Sequence, residues 1–362
     1  MAKVQKNVII FVFFAHFLFA RPKKTLTLTN VEDRLHLENK NKNGIYFVFC
    51  SICTNFANKN NMDPKYSYYQ LHEKVDEMGH FINLERFIDG EKNSLKQIRS
   101  YFRINHWAYR RFHSQDGFMH FRISPNGYFT DEDVYFQPDS VSTFIKPGDV
   151  VIELGPGQGS NLLYLAHCHP DATFYGVDLL PLKRKDIPKN VTTLVKDYSN
   201  LSEFADNSVD VMYAFETIVY CSDKEKVFRE FYRVLKPGGV FIVYDYALAD
   251  KFESYDAHLQ KAIALISKGG AAAMIESLEE WHAHFANVGL KQEESTDYVR
   301  ETLPDLKRLE RKAAKIMKRP WLARLMFWLL PDQFVSNIIL GYLGYDAGNA
   351  GIGGYQKWVY RK

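Results

Sequence analysis

Cysteine is scarce in this chain: four residues in 362, at Cys50, Cys53, Cys168 and Cys221. That is too few, and too unevenly spaced, for a disulfide framework. Cys50 and Cys53 form one CxxC with no second pair to complete a tetrahedral zinc site, so no metal is expected. Such usage suits a reducing, cytoplasmic compartment. An excess of charge of one sign is lacking too. The formal net charge is +3, too mild to imply a nucleic-acid surface, so no nucleic acid is expected among the partners. No lysine and Ser/Thr pair follows the glycine-rich stretch, which excludes a P-loop. The apolar run Val8–Ala20 falls short of the about 20 residues that a membrane helix needs.

What is present is globular material: 46% of residues are hydrophobic and 25% charged, enough for a full core. Aromatics reach 15%, a surplus that serves a core or a deep apolar pocket. Residues 1–61 read differently from the rest. Two apolar runs are separated by the polar tracts "ENKNKNG" and "NKNNM". A membrane anchor, a cleaved signal and a chain start at Met62 all fit this leader, and the start at Met62 is the expected reading. Residues 62–130 form a helical and aromatic cap segment, and residues 131–362 the main domain.

From Asp149 the rhythm is strand, helix, strand. "DVVIEL", "ATFYGVDL", "VTTLVKDY", "SVDVMYAF" and "GVFIVYDYA" read as buried strands. "GSNLLYLAHCH" and "KEKVFREFYRVL" between them read as helices, the second ended by Pro237 and two glycines. Alternation of this kind predicts a parallel sheet with helices on both faces. Further on, "AAMIESLEEWHAHFANVG" reads as a helix, and "LKQEESTDY" and "GYQKWVY" as late strands. A helical insertion runs from about Arg300 to Tyr345 before the last strand.

The stretch "VVIELGPGQGSN" joins the first strand to its helix. Gly155, Gly157 and Gly159 there let the backbone turn sharply and approach a ligand. Ligands of open parallel sheets bind at the carboxyl ends of the strands. Asp178 ends the next strand, where a carboxylate accepts the hydroxyl protons of a ribose. The spacing is GxGxG, and Ser160 stands where a dinucleotide fingerprint needs its last glycine. Glu153, two residues ahead of Gly155, suits a cationic ligand better than a pyrophosphate.

"VIELGPGQGSN", "GVDLL", "VKDYSNL", "SVDVMYAFETIVYCSD" and "FREFYRVLKPGG" follow one another in the order of the motifs of class I S-adenosylmethionine-dependent methyltransferases, which the chain resembles from about Asp149 to Tyr246. The resemblance implies an α/β, Rossmann-like, doubly wound seven-stranded sheet with an antiparallel last strand. It implies S-adenosylmethionine as cofactor. Gly155, Gly157 and Gly159 would line its methionine and ribose end, and Glu153 would orient its amino group. Asp178, with Leu179 beside it, would hold the ribose, Asp197 and Tyr198 the adenine, and Phe215 would face the methionine end.

Within that class, "AFETIVYCSDKEKVFREFYRVLKPGG" looks like the sterol and isoprenoid C-methyltransferases, and "RRFHSQDGFMHF" echoes an aromatic segment of those enzymes. The glycine motif "ELGPGQG" differs from their cysteine-containing form. The expected reaction is methyl transfer to a small, lipophilic acceptor; the alternatives are another small metabolite methylated on oxygen or nitrogen and, behind that, an RNA methyltransferase or an inactive S-adenosylmethionine-binding protein. A carbon acceptor develops positive charge, which aromatic faces and a carboxylate stabilise. An oxygen acceptor needs a base. Glu216, His120, His113 and Tyr246 are the catalytic candidates, with Tyr220 near them. Finally, Leu306, Leu309, Ala313 and Ile316 form an apolar stripe among seven basic residues between Lys307 and Arg319. This basic helix, 306–319, is read either as a peripheral membrane contact or as a lid whose apolar side covers substrate.

Overall fold

The computed structural model describes residues 63–89, 94–272 and 274–362. The leader, with Cys50 and Cys53, lies outside the described residues. Seven strands, β1 (Val150–Leu154), β2 (Thr173–Asp178), β3 (Val191–Val195), β4 (Val209–Phe215), β5 (Leu235–Leu248), β6 (Lys291–Asp297) and β7 (Gly353–Arg361), form one sheet in the order β3-β2-β1-β4-β5-β7-β6. β1 to β5 pair in parallel, and β7 runs antiparallel between β5 and β6. The order reverses at β1, which lies between β2 and β4. The carboxyl ends of β1 and β4 therefore open a crevice at the switch point.

Eleven helices accompany the sheet among the described residues: α1 (Pro64–Gly79), α2 (Leu84–Asp89), α3 (Leu95–Ala108), α4 (Phe136–Ser142), α5 (Ser160–Cys168), α6 (Lys224–Val234), α7 (Ala257–Gly269), α8 (Leu278–Asn287), α9 (Val299–Met317), α10 (Pro320–Leu329) and α11 (Asp332–Asn349). Side chains alternate across the central strands. Ile152, Leu154, Met212 and Ala214 pack with Phe228 and Phe231 of α6 on one face. Val151, Val211, Tyr213 and Phe215 pack with Leu162 and Leu165 of α5 on the other. That is the doubly wound arrangement.

A third core lies off the sheet. It joins Leu71, Val75 and Met78 of α1 to Leu259 and Ile263 of α7, Ile316 and Met317 of α9, and Ile339 and Leu343 of α11. The cap segment and the insertion thus form one helical body. Lys74, buried in α1, ties it together: its Nζ donates to Glu310 Oε1 at 2.6 Å, Asp346 Oδ2 at 2.5 Å and the Tyr342 carbonyl at 2.9 Å. Removing one partner of such a buried set leaves an uncompensated charge.

Three expectations change. The helix read over "AAMIESLEEWHAHFANVG" starts only at Leu278, where Ser277 and Glu280 form a capping box. α7 was not expected, although Asp256 caps it by accepting from the N–H groups of His258 and Leu259, a recognisable helix start. The stripe on the basic helix is not a free face: Leu306, Ala313 and Ile316 are buried. The apolar side of that helix packs inward. No helix among the described residues is long and apolar enough to cross a membrane.

Candidate active site

After Leu154 the chain turns through three glycines with left-handed backbone: φ is +71° at Gly155, +57° at Gly157 and +78° at Gly159. A side chain at Gly155 would put its Cβ 2.3 Å from Thr217 Oγ1, and one at Gly157 would meet Met119 Sδ at 2.7 Å. The loop is held open toward a ligand and closed against its own chain by the same residues. Gly159 serves a local purpose. It caps α5 and would meet Leu182 Cδ1 at 2.7 Å.

Above this loop, at the carboxyl ends of β1 to β4, lies a cavity of ≈ 820 Å³. Glu153, Gly155, Gly157, Asp178, Leu179, Asp197, Tyr198 and Phe215 all line it. Gly159 is not brought to the lining. Glu153 is 2% exposed and accepts from Tyr213 Oη at 3.1 Å. Burial pushes its carboxyl up to about 8. Asp178 accepts from the N–H of Gly157 at 2.8 Å and of Leu180 at 2.9 Å, and burial raises its pKa. Asp197 caps its own turn by accepting from Ser199 N–H at 2.8 Å. Tyr198 Oη donates to the Thr217 carbonyl at 2.8 Å. These three acids, with Glu216 and Asp223, line one cavity.

A second, mainly apolar cavity of ≈ 220 Å³ lies between the sheet and the helical body. Phe112, Ile266, Ile275, Leu309 and Phe334 form much of its wall. His113 and Tyr246 line this cavity rather than the larger one, whereas His120 lines the larger one alone. The two cavities share four residues: Tyr109, Met119, Glu216 and Tyr220.

Glu216 is the centre of that junction. It leaves β4 with φ +53°, a left-handed conformation that costs a non-glycine residue about 1–2 kcal/mol. Three donors hold its carboxylate: Phe121 N–H at 2.5 Å, Tyr355 Oη at 2.9 Å, and Tyr246 Oη. Burial pushes its pKa up to about 8, against the pull of those donors. The turn after it, Ile218–Tyr220, is pinned by Asp245, which accepts from the N–H groups of Val219 and Tyr246 at 2.9 Å. Backbone strain persists only where the surroundings over-determine it, and here they do.

The histidines are neighbours of one another. His113 Nε2 donates to the His120 carbonyl at 2.7 Å. The ring nitrogens of His120 face the Phe121 carbonyl and Asn161 Oδ1, both at 3.1 Å. Burial lowers the pKa of His113 to about 3 and of His120 to about 4, so both rings are neutral at pH 7. Lys312 of the basic helix lines the apolar cavity and donates to the Phe112 carbonyl at 2.5 Å. Burial pushes its amine down to about 8.

Sequence reasoning missed Tyr355, Tyr109, Met119 and Lys312. Tyr355 reaches Glu216 because β7 pairs antiparallel with β5 in the register Tyr246↔Tyr355, and no local signal in "GYQKWVY" sets that register. Tyr109 and Lys312 carried a clue in their helical spacing beside apolar residues, but nothing in the spacing shows which cavity a helix face meets.

Residues 152–243 match the model of the family described as a methyltransferase domain. Among curated relatives, the chain is 28% identical over 199 residues to a sterol 24-C-methyltransferase of Aspergillus fumigatus, covering 51% of this chain and 52% of the relative. It is 34% identical over 119 residues to phosphoethanolamine N-methyltransferase 3 of Arabidopsis thaliana, covering 31% and 24%. The chain spans about half the length, or less, of the curated relatives it matches. Its fold is similar to that of a geranyl diphosphate C-methyltransferase from Streptomyces coelicolor, with TM-score 0.53 and 16% identity over 72% of this chain and 97% of that one. It is also similar to a cyclopropane synthase from Mycobacterium tuberculosis, with TM-score 0.59 and 13% identity over 76% and 100%.

Residues 152–243 therefore carry a methyltransferase domain, in a chain that resembles the class I S-adenosylmethionine-dependent methyltransferases. Within that class its sequence is similar to sterol 24-C-methyltransferases and to phosphoethanolamine N-methyltransferases. The cavity fits that cofactor on its own chemistry. Its floor is a glycine cradle that a Cβ at Gly155 or Gly157 would disturb, and its carboxylates suit a ligand bearing a cationic amino group and hydroxyls.

Proposed function

We propose that the protein transfers a methyl group from S-adenosylmethionine to a small lipophilic acceptor of sterol or isoprenoid kind. The observation that carries this reading is the meeting of the two cavities at Glu216. One is lined by glycine and carboxylate, the other by apolar side chains, and only a few residues separate them.

The bound cofactor supplies an electrophilic methyl group on a sulfonium. Everything else falls to the chain. In this reading Glu153 holds the amino group, Gly155 and Gly157 admit the backbone of the loop to close range, and Gly159 sets the helix that follows. Asp178 and Leu179 hold the ribose; Asp197 and Tyr198 flank the adenine. Phe215, packed edge to face on His120 at 5.4 Å, walls the methionine end. The helical body excludes water and orients the acceptor, which supplies most of the catalysis of a direct displacement. Glu216 faces the acceptor at the junction. Ionised, it stabilises positive charge developing on a carbon acceptor or takes a proton from it. Tyr246 and Tyr355 position its carboxylate, and neutral His120 and His113 brace the Phe118–Phe121 segment that donates to it. The acceptor's lipophilic character makes peripheral membrane contact through the insertion part of the same reading.

The test is Glu216→Gln, which keeps shape and removes charge. Turnover with a lipid extract and labelled S-adenosylmethionine is expected to fall about 100-fold or more, while cofactor affinity stays within a few-fold. In the parent, turnover should rise as pH passes through the Glu216 pKa of about 8. Unchanged turnover in the variant removes Glu216 from the mechanism. Loss of cofactor binding moves it to the cofactor site.

A further inference from the structure

Helix α10 has two opposite faces. Leu322, Ala323 and Met326 are buried in the helical core, while Trp321 and Trp328 are 65% and 80% exposed. At about 100° per residue, Trp321, Arg324, Leu325 and Trp328 share one side of the helix, opposite the buried three. Large exposed indoles on one helical face are not an ordinary surface feature. The charge beside them is mainly basic, with Asp332 the acid that follows. From Arg311 to Pro331 the chain has six basic residues and no acidic one, and Arg311, Lys315, Lys318, Arg319 and Arg324 are all exposed.

We propose that this face of α10, with the basic residues flanking it, docks the protein on an anionic lipid surface. Tryptophan is the side chain that settles at the boundary between headgroups and acyl chains, and clustered lysine and arginine meet anionic headgroups. A second protein would need acidic groups to match these cations and a pocket for each indole; a bilayer supplies both requirements without shape. The site of docking differs from the stripe on α9, whose apolar residues are spent on the core. It also has a consequence for the acceptor. Met326 and Leu322 pack in the same core as Ile316 and Ile338, which line the apolar cavity. Docking through α10 therefore sets the wall of that cavity beside the lipid that holds a lipophilic acceptor. This rests on the lipophilic-acceptor reading above.

The test uses the full chain with vesicles of phosphatidylcholine, and of phosphatidylcholine mixed with phosphatidylserine, each with brominated acyl chains that quench indoles at the boundary. The mixed vesicles are expected to quench fluorescence of the parent, and raised salt to weaken this. In Trp321→Ser with Trp328→Ser the quenching should vanish, even if another segment holds the chain on the vesicle. Lys318→Glu with Arg319→Glu should weaken vesicle affinity about 30-fold or more, at about 1 kcal/mol for each basic residue lost near the surface. Cofactor affinity, measured on the same variants, is expected to match the parent. Quenching that survives loss of both indoles, or quenching equal on neutral and anionic vesicles, overturns the proposal. So does protection of both indoles by self-association without lipid. Methyl transfer from a soluble, detergent-borne acceptor is measured separately, so that failure of docking and failure of the methyltransferase reading give different results.

Discussion

The two cavities are built by different means. The sheet side of the larger one is lined by residues at strand ends, namely Glu153 in β1 with Gly155 and Gly157 after it, Asp178 ending β2, Asp197 after β3, Phe215 ending β4 and Glu216 after it, while Ile98, Phe102 and His106 of α3 add to the lining. Each strand-end residue is placed by its own strand. The apolar one is assembled from residues far apart in the chain, in α3, α7, α9 and α11 and the segment before β1. No short stretch encodes it. In a parallel sheet the backbone alone brings strand ends together, whereas helices meet by side-chain packing, with many solutions open. The cofactor half of such a molecule is therefore fixed by motif, and the acceptor half is free to vary around it.

The largest expected effect breaks the first half alone. Gly155→Val forces a branched residue into φ +71° and drives its Cβ to 2.3 Å from Thr217 Oγ1. Strain and overpacking together cost about 3 kcal/mol or more; the loop relieves them by leaving its place in the cavity, so calorimetry should find cofactor affinity down by up to about 100-fold, with folded-state stability measured alongside. Parental affinity would mean that the loop does not hold the cofactor. A smaller effect isolates the second half. Ile275, half-buried, lines only the apolar cavity. Ile275→Trp fills that space, and the acceptor KM should rise about tenfold, the scale of about 1.4 kcal/mol, with cofactor affinity unchanged. If both affinities fall together, the two cavities are not separable. The mildest test needs no mutation. Burial holds Glu153 protonated up to about 8 in the ligand-free protein, and a cationic amino group favours the carboxylate. Binding below that pH therefore releases a proton. Affinity should rise by up to about tenfold per pH unit on approaching 8 and then level off. Glu153→Gln should flatten the profile, and a flat parental profile removes Glu153 from contact with the cation.

How much of this was legible follows the same division. The strands, the glycine turn and the carboxylates at strand ends could be read because period, turn chemistry and chain order are local properties. The reading of Glu216 as a catalytic candidate also had a sequence signal, since it follows β4 directly, whereas its place between two cavities had no such signal. Its left-handed φ and its tyrosine partners had none. α7 was missed although its cap and apolar spacing were present, because "AHLQKAIALISKG" carries no motif and sits between two stronger ones.

The sequence by itself determined that β1 to β4 end in a glycine turn and acidic or aromatic residues, and so that a cationic, hydroxylated ligand has a place to bind. Burial and backbone geometry enforce that wherever the sheet forms. Only the tertiary structure decided that Tyr355 of β7 stands beside Tyr246 and reaches Glu216, that Gly159 serves α5 rather than the cavity, and that the basic helix turns its apolar stripe inward while α10 shows its tryptophans outward. Register between distant strands and the choice of buried face depend on what else is packed nearby, and no local stretch of chain contains that information.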